Sequence, residues 1–177
     1  KNNIRNQTVN QDLLEGIKLH TNKNYIKAEA LYNKVLSSEP ANYEAIRHLG
    51  ILYQDLEQYE KAYNYFLQAL KVNPKGFQAL SNLATIHMEN KNYELAHKCL
   101  SQSFKINSNY VPTINNLAGY YHKINDPKNA IHYSQLSIKI QPGNPIALDQ
   151  YAKALIINSR PEEAIDILEK LNKSLPD

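Results

Sequence analysis

His48, Asn82, Asn116 and Gln150 follow one another at intervals of 34 residues. All four side chains are uncharged and able to form hydrogen bonds. The three amides each offer a donor and an acceptor. Stacked in a column, such groups could pair with the N–H and C=O groups of an extended polypeptide with little regard to its side chains. Leu14, one interval earlier, breaks the series. The same column is equally readable as a set of solvated amides in a chain rich in asparagine.

Other chemistry finds less support. The six histidines, His20, His48, His87, His97, His122 and His132, show no tight metal-ligand spacing with cysteine or acidic residues, so no metal and no cofactor are expected. His87 reads as a packing residue, and His97 and His132 as outward-facing. Cys99 is the only cysteine, which rules out an intrachain disulfide and gives no reason to expect a nucleophile. There is no Gly-rich phosphate loop and no Gly-x-Ser-x-Gly elbow. Glu57, Glu60, Glu162 and Glu163 fall near expected helix starts, where carboxylates favour the helix dipole. The segment is therefore read as non-enzymatic.

The elements that would position the column follow from the same period. Ala28, Ala62, Ala96, Ala130 and Ala164 are spaced by 34, and Pro40, Pro74, Pro142 and Pro176 share that phase, with Ser108 in the gap. A small residue recurs at Gly16, Gly50, Ala84, Ala118 and Ala152, and a bulkier one at Leu19, Tyr53, His87, Tyr121 and Leu155. Within 43–76, Ile46, Leu49, Leu52, Tyr53 and Leu56 have helical spacing, as do Ala62, Phe66, Ala69 and Leu70. A short turn between the two runs makes the helices antiparallel. Gly50 and Ala62 are expected where the two backbones approach, and Pro74 stops the second helix. One such hairpin cannot bury its own apolar face, so neighbouring units must stack.

These residues resemble the tetratricopeptide repeat: Leu49–Gly50, Tyr53, Tyr59, Ala62, Phe66, Ala69 and Pro74 carry the pattern nearly in full. Other units are degenerate, with Glu15, Ser103, Ser134, Ser137 and Ser108 in place of pattern residues. The resemblance implies an all-α, right-handed superhelical solenoid of five units, 9–42, 43–76, 77–110, 111–144 and 145–177, after an extension at 1–8. It also implies that first helices line a concave groove, with Leu14, His48, Asn82, Asn116 and Gln150 at the sixth position of each unit. Glu44, Arg47, Ile51, Asn115 and Lys153 would flank them, with Gln54, Ser81, Thr85, His122 and Asp149 nearby. The column is similar to the asparagine ladder in the superhelix of O-linked N-acetylglucosamine transferases, and so implies main-chain recognition. The family's clamp for acidic C-terminal tails is not matched, because Leu13, Ile17 and Ile51 stand where it needs polar or basic groups.

The composition agrees with a binding scaffold. With a formal net charge of +3, the chain has no broad field for nucleic acid or a membrane surface. No apolar run approaches the roughly 20 residues that span a bilayer. A single cysteine favours a reducing compartment, so a cytoplasmic location is expected. Leu13, Leu14 and Ile17 are apolar at one end, and Ile165, Ile167, Leu168, Leu171 and Leu175 at the other, with no polar cap. The chain is therefore expected to be part of a longer protein or to associate with itself through these ends. The expected partner is a protein or extended peptide. An alternative is the substrate-recruiting arm of a larger enzyme of glycosyltransferase or sulfotransferase type.

Overall fold

The structure, a computed structural model, describes residues 2–174. Leu175 and Pro176 fall outside it, as does the side chain of Leu171. Among the described residues, ten α-helices form five consecutive hairpins: α1 (Asn2–Thr21) with α2 (Tyr25–Ser38), α3 (Tyr43–Asp55) with α4 (Tyr59–Val72), α5 (Phe77–Glu89) with α6 (Tyr93–Ile106), α7 (Val111–Lys123) with α8 (Pro127–Ile140), and α9 (Pro145–Ile157) with α10 (Pro161–Ser174). No strand occurs among the described residues. Helix α1 begins at Asn2, so residues 2–8 are continuous with the first helix.

Contacts divide the chain into two compact units, Lys1–Leu83 and Ala84–Asp177. In the first unit, Ala28, Tyr32, Leu49 and Leu52 form one buried cluster, and Ile46, Ala69 and Ala79 another. Leu13 packs on Val9, Val35 and Ala45, so it is used within the array rather than left for another helix. Helix α1 touches α3 directly, so successive first helices share a face. In the second unit, Ala84, Ala96, Leu100 and Leu117 form one cluster and Ala130, Ala152, Leu155 and Ala164 another. There α7 touches α9 in the same manner.

The small residues have a different role from the one expected. A Cβ on Gly50 would lie 2.5 Å from the Phe66 ring, and one on Gly16 2.8 Å from the Tyr32 ring. Glycine is present because an aromatic ring of the second helix covers it, not because two backbones touch. Where the small residue is Ala84, Ala118 or Ala152, the equivalent second-helix residue shrinks to Leu100, Ser134 or Leu168. Ala84 with Leu100 occupies about the same volume as glycine with an aromatic ring, whereas Ala118 with Ser134 is a smaller pair and Leu168 stays exposed.

The turn inside every hairpin is also the same. Lys23, Glu57, Lys91, Asn125 and Ser159 all have positive φ, between 57° and 60°. The next amide reaches back five residues: Asn24 N–H donates to Leu19 C=O, Gln58 to Tyr53, Asn92 to His87, Asp126 to Tyr121 and Arg160 to Leu155. The amide of the positive-φ residue closes the inner bond, as from Glu57 to Gln54 C=O at 3.0 Å. This is the Schellman termination, which satisfies the carbonyls left at a helix C-terminus. The recurring series from Leu19 to Leu155 therefore supplies both the packing side chain and the accepting carbonyl. The second helix starts at once, with Ala62 N–H donating to Gln58 C=O.

First helices do not all start in the same way, and α7, after Tyr110, has no side-chain cap and a proline in its first turn. Asn42 accepts from Ala45 N–H, and Asn144 from Ala147 N–H, each as an N-cap. Gly76 has no side chain to cap α5, and the Tyr43 hydroxyl of the preceding hairpin accepts from Ala79 N–H at 3.2 Å instead. A Cβ on Gly76 would lie 2.5 Å from that hydroxyl, so the glycine makes room for the borrowed cap.

Candidate functional site

His48 and Asn82 belong to the first unit, Asn116 and Gln150 to the second. Each stands at the sixth position of its hairpin, on a first helix, and each is partly buried. In the second unit the column leans on the preceding first helix. Asn116 donates through Nδ2 to Thr85 Oγ1 at 3.3 Å, and a Cβ on Gly119 would lie 3.1 Å from Gln150 Nε2. Sixth-position side chains of α7 and α9 thus lie against the ninth position of the helix before.

The polar atoms of these side chains are not fully used. Among the described residues, the buried side-chain atoms without a hydrogen-bond partner include Gln54 Oε1, Asn82 Oδ1, His122 Nδ1, Gln150 Oε1 and Ser134 Oγ. Asn82 and Gln150 share the sixth position of their hairpins, and Gln54 and His122 the twelfth. An unpaired buried polar atom costs about 1–3 kcal/mol, so its recurrence at two repeat positions needs an explanation. Ser134 is separate: it faces the hairpin interior, at the position equivalent to Phe66.

His48 is prepared differently. Its ring stacks on Tyr32 with centroids 5.7 Å apart. Arg47 lies beside it, with Nη2 3.1 Å from His48 Nε2 and 2.6 Å from Glu44 Oε2. Guanidinium can only donate, so Nε2 accepts and the proton sits on Nδ1. Burial first, and then the charges of Arg47 and His20, push the His48 pKa down to about 3. The ring is therefore neutral at ordinary pH, with Nδ1–H available as a donor.

The flanking residues separate into two groups. Glu44 and Arg47 pair with each other, and Lys153 Nζ lies 2.7 Å from Asp149 Oδ2 on the surface of α9. Ile51 stays partly exposed on α3. Asn115 does not belong with them. It is only 6% exposed, and its Oδ1 accepts from the Ser137 hydroxyl at 2.6 Å. That bond joins α7 to α8, so Asn115 is a packing residue and not a contact for a partner. The serine in place of alanine at 137 exists to satisfy it. Leu14 is 67% exposed and continues the column without polar chemistry.

His87 lies within the core, and His97 and His132 are exposed, each against a tyrosine ring. Burial raises the Cys99 thiol pKa, which lowers its nucleophilicity. No group of three or more His, Cys, Asp or Glu residues placed to hold a metal occurs among the described residues. No helix among them is long and apolar enough to cross a membrane. His20 is the residue that sequence spacing could have found. It shares the twelfth position with Gln54 and His122, and it binds Asp55 Oδ2 at 3.0 Å.

Two stretches of the chain match models of the tetratricopeptide repeat, residues 47–97 and 111–144. No curated protein matches the chain. Among solved structures, the chain is similar to PilF of Pseudomonas aeruginosa, at 18% identity over 98% of this chain and 79% of that one, with a TM-score of 0.85. It is similar to TTC0263, a thermophilic TPR protein in Thermus thermophilus, at 17% identity over 96% and 92%, with a TM-score of 0.83. It is also similar to YrrB, described as a TPR protein with an unusual peptide-binding site, at 19% identity over 94% and 86%, with a TM-score of 0.64. At these identities the likeness is one of fold.

Proposed function

Because the chain belongs to the tetratricopeptide-repeat family, we propose that it is a protein-interaction scaffold whose first-helix faces bind an extended polypeptide by its main chain. Tetratricopeptide repeats are generally non-catalytic scaffolds, and the chain's own residues give no reason to propose chemistry. The observation that carries the reading is the repetition of under-used polar atoms. Asn82 and Gln150 keep carbonyl oxygens without partners at one repeat position, and Gln54 Oε1 and His122 Nδ1 lack partners at another. A 180° turn of an Asn or Gln amide exchanges its donor and acceptor, so these side chains can answer either an N–H or a C=O of a bound strand. His48 adds a fixed Nδ1–H donor. Peptide main chain offers both groups at regular spacing. Each unit carries two members of the column and can engage a strand by itself.

Binding to an unbiased library of extended peptides tests the reading. The double variant Asn82→Ala/Asn116→Ala loses up to two hydrogen bonds. At about 0.5–1.5 kcal/mol each, affinity should fall by about 1–3 kcal/mol while the fold is kept. Unchanged binding by a folded double variant would remove the column from the account.

A second reading has its own observation. Ile146, Ile156, Ile157, Ile165 and Leu168 on α9 and α10 are exposed. Apolar side chains gathered on one hairpin favour association. Light scattering across a concentration series distinguishes a self-associating chain, whose mass rises, from a monomer that binds peptides.

A further inference from the structure

The C-terminal turn of α1 and the groove-side residues of α3 line an open cavity of about 280 Å³. Its apolar walls are Ile17 and Ile51, and Tyr25, at the first position of α2, closes one side. His20 forms part of the lining and is held on both ring nitrogens. Nε2 meets Asp55 Oδ2 at 3.0 Å, and Nδ1 meets the Tyr32 hydroxyl at 3.4 Å. The Tyr25 ring meets the His20 ring edge-on, with centroids 5.6 Å apart. Asp55 and Lys23 supply one charge of each sign to the lining. The Asp55 side chain is 49% exposed, and only its Oδ2 is engaged by His20. Lys23 is the positive-φ residue of its Schellman turn, so its backbone is fixed beside the cavity.

This lining selects a chemistry. Apolar walls and ring edges favour a flat hydrocarbon surface. A cationic head would meet Lys23, and a carboxylate would meet Asp55. A neutral group that both donates and accepts suits a lining of opposite charges. A phenol donates to Asp55 and accepts from Lys23, whereas an indole only donates. We propose that this cavity is an anchoring pocket for a tyrosine side chain of the bound segment. The inference rests on the main-chain reading above for the strand that presents the ring; the pocket shares His48 with the column, but its preference for a phenol is set by Asp55 and Lys23.

Side-chain analogues test it without knowledge of the partner. Amide resonances of the whole chain are followed by nuclear magnetic resonance during titration with p-cresol, toluene and n-butylammonium. p-Cresol should saturably shift the signals of Ile17, Thr21, Ile51 and Asp55, and bind about tenfold more tightly than toluene, the worth of one hydrogen bond to a charged group. n-Butylammonium should leave these signals unmoved. Ile51→Phe, which fills the cavity from its wall, should abolish the p-cresol shifts. Asp55→Asn should narrow the preference over toluene, and thermal melting establishes that both variants are folded. The Asn82→Ala/Asn116→Ala variant should bind p-cresol as the parent does, so failure of the column and failure of the pocket are separable. Absent p-cresol shifts at these residues, equal affinity for toluene, or stronger binding of n-butylammonium would each overturn the proposal.

Discussion

The side chains on the first helices look alike in the sequence but do different work. Asn115 and Asn116 are neighbours of one type. One is locked to Ser137 and the other reaches Thr85 from a half-buried surface position. The spacing of 34 could place Asn116 in the column. It could not show that Asn115 turns inward, because that depends on a serine 22 residues away. Asn115→Ala should therefore cost about 1–3 kcal/mol in denaturant unfolding, with the Ser137 hydroxyl left buried, and leave peptide affinity of the folded fraction unchanged. A stable variant with weakened binding would restore Asn115 to the binding face. His48 gives a pH prediction. Its folded pKa is about 3 against an ordinary value of 6.5, so between these the unfolded chain takes the extra proton. The stabilising contribution is complete above about pH 6.5 and is lost as pH falls through that window toward 3. Burial lowers the His87 pKa too and adds a smaller loss of the same sign. Melting temperature should drop on acidification from about pH 7 to pH 4, and less steeply in His48→Gln. Equal slopes in the two proteins would show that His48 is not held neutral.

At the scale of the helix, the hairpins were legible and their detailed fit was not. Alanine and proline in fixed phase marked the helices, and the apolar spacing marked their inner faces. What could not be read was why a glycine stands at 16 and 50 but an alanine at 84. The answer is the ring opposite, Tyr32 or Phe66, against Leu100. Gly50→Ala should cost about 1–3 kcal/mol by overpacking. Adding Phe66→Leu, which copies the Ala84–Leu100 pair, should recover part of that loss, a non-additivity visible in a double-mutant cycle. Additive losses would mean that the ring and the Cβ do not compete. The five positive-φ positions were equally hidden, since Lys, Glu, Lys, Asn and Ser carry no common signal. Their conformation is imposed by the Schellman bonds on either side. Glu57→Val should destabilise by about 1–2 kcal/mol in thermal melts, because a β-branched side chain tolerates positive φ poorly, whereas Glu57→Gly should not destabilise. Equal effects would argue that the turn is not set by φ.

For the whole molecule, repetition is what turns ordinary amides into a candidate site. A single unpaired carbonyl on a helix would be a local defect. Two unpaired polar atoms in each compact unit, at the same two repeat positions, are what the proposed strand would engage. The sequence carried the period, and hence the column, but not the state of its atoms. Which amide is engaged depends on neighbours that lie about 30 residues away in the chain, such as Thr85 for Asn116, and the His48 tautomer is set by Arg47 beside it. The His20–Asp55 pair was missed for the same reason, since its partners stand 35 residues apart.

The central claim is that the main chain of the partner is what is read. A peptide selected by binding should be remade twice, once with single backbone N-methyl groups and once with single alanines, and each series titrated against the folded protein. The account predicts that N-methylation at alternating positions weakens binding by roughly tenfold per lost hydrogen bond, while most alanine replacements change it little. The opposite pattern, tolerance of N-methylation with strong losses to alanine, would show that side chains carry recognition and would contradict the account.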